Sequence, residues 1–123
     1  MANGISVSVF KWADGVLVPQ LPGVYALHNS DTHAIYIGAT GNLHRRFIQW
    51  RDVVVHEIVR LRPDKKLRQE LAIAPRSAWK FTVLLDGTGM TRKELLAAER
   101  FTTDKCSRLM GERCLNKQHY RGR

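Results

Sequence analysis

Two tyrosines eleven residues apart, Tyr25 and Tyr36, each stand in a short apolar run, Gly23-Val24-Tyr25 and Tyr36-Ile37-Gly38. The polar stretch Asn29-Ser30-Asp31-Thr32 separates the runs, and apolar runs around a turn-rich break predict a β-hairpin. With those four residues as the loop, His28 faces His33 and Tyr25 comes directly opposite Tyr36. Residues opposite one another in an antiparallel pair share a face, with Cβ atoms about 5 Å apart. Two phenols side by side on a sheet are ordinarily core. Beside an arginine and a divalent cation they can do more, because opposite charge favours the phenolate despite a reference pKa of about 10.

The charge that such chemistry needs follows the second run. Asn42 is a good helix N-cap, and Leu43, Phe47, Trp50 and Val54 recur at the spacing of one apolar helix face. Arg46 falls about 60° to one side of that stripe and can lean along the core edge toward the sheet. Arg45 points further out, as a solvated charge, and His44 beside it is read as a solvent-facing helix residue within reach of a phosphate. In the carboxy-terminal third, Thr91 and Glu94 form a capping box that opens a helix. On that helix Leu95, Thr102, Cys106 and Leu109 stay within about 40° of one line, and Glu99 sits in the same arc. A carboxylate on a core-facing line is costly unless it is paired, protonated or bound to a metal. Glu94 is the competing acid, and its capping position accounts for it.

Hairpin, capped helix, flanking arginine and a later helical acid together resemble the GIY-YIG nuclease family. Tyr25, Tyr36 and Arg46 fall on the matching motif positions, Gly38 closes the Tyr-Ile-Gly element, and Glu99 and Asn116 fit the family's later glutamate and asparagine. The resemblance covers about residues 21–116, with 117–123 read as a basic, partly disordered tail. It implies a small α/β sandwich, a three-stranded antiparallel sheet flanked by helices, in a single domain spanning 1–123. It further implies a metal-dependent endonuclease that hydrolyses phosphodiester bonds in DNA. By resemblance Tyr25 is the base or water-orienting group, with Tyr36 hydrogen-bonded in the same cluster. Arg46 offers fixed planar donors to the phosphoryl oxygens, and Glu99 holds one Mg²⁺ or Mn²⁺. With one candidate carboxylate, a single-metal mechanism is favoured. Asn116 is structural and ties the tail to the site. The chain departs from the family at Trp50, where many members carry histidine; it completes the apolar stripe and reads as core.

Charge names the partner class. The chain of 123 residues carries a net charge of +9, with 20 basic and 11 acidic side chains. Residues 41–76 hold nine Lys/Arg against four acids and residues 91–123 nine against four, so the surplus lies on the helical segments. Such a surface is the electrostatic footprint of a polyanion, and the resemblance implies that it is DNA, duplex or branched. An inactive nucleic-acid-binding module on the same fold, or a basic RNA-associated protein, would share the charge; neither gives a reason for the full set Tyr25, Tyr36, Arg46 and Glu99. With little beyond the motif core, the chain could depend on a partner protein or an added specificity domain. The two cysteines lack a zinc-ligand pattern, and free thiols in a reducing compartment are the default. No run is apolar enough to cross a bilayer and no signal-peptide pattern opens the chain, so an intracellular protein, cytoplasmic or nucleoid-associated, with no membrane partner is expected.

Further elements complete the expected frame. Val16 to Pro22 leads into the first strand, helical periodicity continues from Val53 to Leu61, and Asp64 caps a second helix ended by Pro75. Trp79 to Leu85 reads as the third strand, closed by Asp86-Gly87. Lys65, Lys66 and Arg68 on the second helix form a backbone clamp away from the site. Replacing all three by alanine should weaken binding to unrelated DNA sequences alike and flatten the slope of log K against log salt, by roughly one for each phosphate no longer neutralised. Equilibrium binding across a salt series measures it.

Overall fold

A computed structural model describes residues 8–56, 65–73 and 76–116. The predicted hairpin is its centre: β2 (Gly23–Asn29) pairs antiparallel with β3 (Ile35–Thr40). Its loop lies one residue later than the sequence predicts. Asn29 remains in the strand, its N–H bonded to the Ala34 carbonyl, while its side chain accepts the N–H groups of Asp31 and Thr32 at 2.8 and 2.9 Å. His33 turns the corner at φ 65. The pairing therefore slips by two, so that Tyr25 faces Gly38 and Tyr36 faces Leu27. Tyr25 and Tyr36 are diagonal neighbours rather than directly opposed. An even slip preserves side-chain parity, so both remain on one face.

The sheet has four antiparallel strands, not three, in the order β1-β4-β2-β3. The added strand β1 (Ser8–Phe10) is too short to show an alternating pattern, and it is fixed by pairing Phe10 with Phe81 of β4 (Trp79–Asp86). Between β1 and β2, residues Trp12–Leu17 wind into a tight helical turn rather than leading straight into the hairpin. The pairing of β2 with β4 shifts between Val24 and Tyr25, where Leu84 is bulged out beside the tyrosine.

Helices cover both faces. On one lies α1 (Leu43–Val54), whose Asn42 side chain accepts the Arg45 N–H as predicted. Its stripe Leu43, Phe47, Trp50 and Val54 is buried against Tyr25, Leu27 and Phe81, together with Leu67 of α2 (Lys65–Ile73). The α1 helix stops at Val54; the predicted continuation through 57–61, the Asp64 cap and the tail 117–123 lie outside the described residues. On the other face α3 (Arg92–Met110) packs Leu95, Ala98 and Cys106 against Val24, Ala26 and Ile37. Its Thr91–Glu94 capping box is formed, with bonds of 3.1 and 2.8 Å. The expected core line is corrected in one place: Leu109 is 74 % exposed, while Thr103 is buried. Seven-residue steps lag a straight helix by about 20° each, so by Leu109 the line has rotated off the sheet. Among the described residues no helix is long and apolar enough to cross a membrane.

The outer edge of β3 is closed by the chain after α3. The Leu115 N–H donates to the Ile35 carbonyl, and the Asn116 side chain grips Ile37 on both sides, accepting its N–H at 2.8 Å and donating to its carbonyl at 2.7 Å. Removing a side chain that satisfies two buried backbone groups leaves both unpaired. Asn116→Ala should cost about 2–4 kcal/mol on that count, read as a lower urea midpoint with an unchanged slope.

Candidate active site at the edge of the sheet

Gly38 makes room for the centre of the site. A Cβ at this position would collide with the Tyr25 hydroxyl and the ring carbon that bears it, so the pairing of Tyr25 with Gly38 lets the phenol lie flat across the neighbouring strand. The ring stacks on Phe81 with centroids 5.0 Å apart, and the residue is 1 % exposed. Its oxygen reaches α1, where Arg46 Nη1 donates at 3.2 Å and Trp50 Nε1 at 3.0 Å. The Arg46 Nε–H is buried with no hydrogen bond among the described residues. Tyr36 meets the same cluster through its ring, which packs edge-on against Trp50 at 5.9 Å.

Glu99 approaches from the opposite layer. Its half-buried carboxylate lies toward the Ala39 N–H, one residue beyond Gly38, and the charge of Arg46 acts on it. Ile35 and Ile37 are thus bonded in turn along the outer edge of β3, by Leu115 and Asn116, and the Glu99 carboxylate lies toward Ala39, two residues further along that edge. Tyr25, Arg46 and Glu99 converge across one edge strand, with Gly38 beneath them and Asn116 alongside.

Electrostatics pull in both directions here. Burial pushes the Tyr25 phenol up from its ordinary value; the Arg46 charge and the hydrogen bonds from Trp50 and Arg46 draw it back, while Glu99 adds to the rise. Burial likewise raises the Glu99 carboxyl, against the Ala39 N–H and the charges of Arg46 and Arg100.

The remaining sequence-predicted residues stand elsewhere. His44 bonds through Nδ1 to the Val18 carbonyl at 3.2 Å, and with exposed Arg45 it lines an open groove of about 570 Å³ on another flank of α1, with Gln20, Gln49 and Asp52. Lys66 reaches back to the Cys114 carbonyl at 3.4 Å, two residues from Asn116, which ties α2 to the closing segment of β3. Arg68 is exposed, and the Lys65 side chain lies outside the described part. One residue of the cluster escapes the sequence reading: Trp50, which periodicity assigns to the core, also donates to Tyr25. A signal for it exists, because a buried indole carries an N–H that needs a partner, and Trp50 lies one turn beyond Arg46.

No family model, curated protein or solved structure matches the chain.

The raised Glu99 carboxyl makes a stability prediction. A group whose folded pKa lies above its unfolded one stabilises the fold when protonated, and that contribution is lost as pH rises through the folded value. Glu99→Gln should therefore raise Tm at pH 7, by a few degrees. The gain should fade as the pH drops below the ordinary carboxylate range. Thermal unfolding at pH 4 and pH 7 measures both.

Proposed function

We propose that this chain is a GIY-YIG-type nuclease domain that hydrolyses phosphodiester bonds in DNA. The observation that carries the reading is the convergence on Tyr25: Arg46 is bonded to its oxygen, and the half-buried Glu99 carboxylate lies in the field of Arg46 beside the Ala39 N–H of the same strand edge. A guanidinium, a phenol and a carboxylate with a raised pKa brought together from three elements are more than the packing of this core requires.

Each group has a task in the proposed reaction. Arg46 spends one donor on Tyr25, and its remaining donors suit a phosphate whose charge increases in the transition state. Tyr25, as the phenolate that Arg46 and Trp50 favour against the burial that raises it, accepts the proton of the attacking water. Tyr36 backs the cluster through Trp50. Among the described residues no three His, Cys, Asp or Glu side chains are grouped to hold an ion. Glu99 alone fits a hydrated hard cation, since Mg²⁺ keeps several waters and takes one or two carboxylates beside substrate oxygens. When bound there, Mg²⁺ or Mn²⁺ would supply Lewis-acid polarisation of the phosphate. The basic surplus of residues 41–76 and 91–123 supplies the attraction for DNA.

Incubation with linear, nicked and branched DNA, with Mg²⁺ or with EDTA, tests the reading. Cleavage should require the metal. Arg46→Ala and Glu99→Ala should each lower it by orders of magnitude while leaving the fold intact, as befits groups that act in the transition state. Tyr25→Phe should cost more than Tyr36→Phe. Tight, salt-sensitive binding without cleavage on any substrate would leave a nucleic-acid-binding module; near-normal cleavage by Glu99→Ala would remove the metal assignment.

A further inference from the structure

The Tyr25 oxygen accepts two hydrogen bonds, from Arg46 Nη1 and Trp50 Nε1, and donates none to a described residue. An indole nitrogen can only donate, and a guanidinium likewise. A neutral phenol needs an acceptor for its own proton, whereas a phenolate needs donors alone. Two donors at one buried oxygen therefore favour the anion, against the burial that raises the phenol.

We propose that Trp50 is a positioning residue for the hydrolysis proposed above, its indole N–H fixing the Tyr25 oxygen against Arg46 and favouring the phenolate. The reaction it would serve rests on the nuclease reading; the hydrogen bond and its consequence for Tyr25 do not. The charged groups facing the phenol are Arg46 from α1, which favours the anion, and Glu99 from α3, which opposes it, while β4 contributes the apolar ring of Phe81. Trp50 thus adds a second donor without a second charge. It is held to do so: the side chain is 3 % exposed and braced edge-on by Tyr36. The same packing gives Tyr36 a function, that of fixing the indole which fixes Tyr25.

The experiment places 3,5-difluorotyrosine at position 25, whose phenol ionises nearer neutral pH, and follows its ionisation by ¹⁹F NMR with no metal added. Trp50 is compared with Trp50→Phe and with β-(3-benzothienyl)alanine at position 50, which keeps the indole's shape and lacks the N–H. Both replacements should lower the phenolate-to-phenol ratio at a given pH about tenfold, the worth of one hydrogen bond to a charged group. If Trp50→Phe does not fold, the benzothienyl protein decides alone. An unchanged titration there would overturn the proposal and return Trp50 to the core. In a cleaving protein the pH dependence of Mg²⁺-supported plasmid nicking should move upward by the same factor, and nicking that does not move would overturn the positioning role. A parent protein that cleaves no DNA would fell the nuclease reading, and with it the catalytic role, while the ¹⁹F titration would still decide the hydrogen bond.

Discussion

A phenol ring lying on a glycine governs this molecule. Because Gly38 has no side chain, Tyr25 can reach across β3 to the flank of α1, and its oxygen meets Arg46 and Trp50. A larger residue at position 38 would displace that oxygen, and the donors would be deprived of their common acceptor. Interiors are close-packed, so such a displacement would also disturb Phe81 beneath the ring and Phe47, which meets Phe81 edge-on at 5.3 Å. The local fit and the core are one structure.

The two layers contribute unlike chemistry. From α1 come donors and positive charge, and from α3 comes a carboxylate, with the sheet between them. They meet only because β3 is an edge strand, past which a side chain from the far layer can reach. Glu99 uses that opening and turns its carboxylate toward the Ala39 backbone. The arrangement keeps opposite charges near one another while leaving guanidinium donors unspent, which suits recognition of a third, anionic group better than a closed ion pair would.

What can be read in the sequence depends on how local its cause is. The Asn42 cap, the Thr91–Glu94 box and the α1 stripe are set by neighbours within a turn or two, and all are present. The convergence of Tyr25, Arg46 and Glu99, separated by up to 74 residues, is legible only through resemblance to an ordered motif. Errors arise where one residue serves two elements. Asn29 both ends a strand and caps the turn after it, so the register slips while the face survives. Trp50 both fills the core and donates a hydrogen bond, and periodicity reports only the first. β1 owes its existence to a partner some seventy residues away, which three residues of sequence cannot announce.

The row of bonds along the outer side of β3 has a bearing on how this protein behaves in company. An exposed strand offers unpaired backbone groups to any other chain, a route to domain swapping and fibrils. Here Leu115 and Asn116 bond Ile35 and Ile37, and Glu99 lies at Ala39, so a foreign strand meets an edge already covered over most of its length. The last of these guards is also the acid of the site. In the reaction proposed above, one side chain would then serve both the chemistry and the covering of the strand edge.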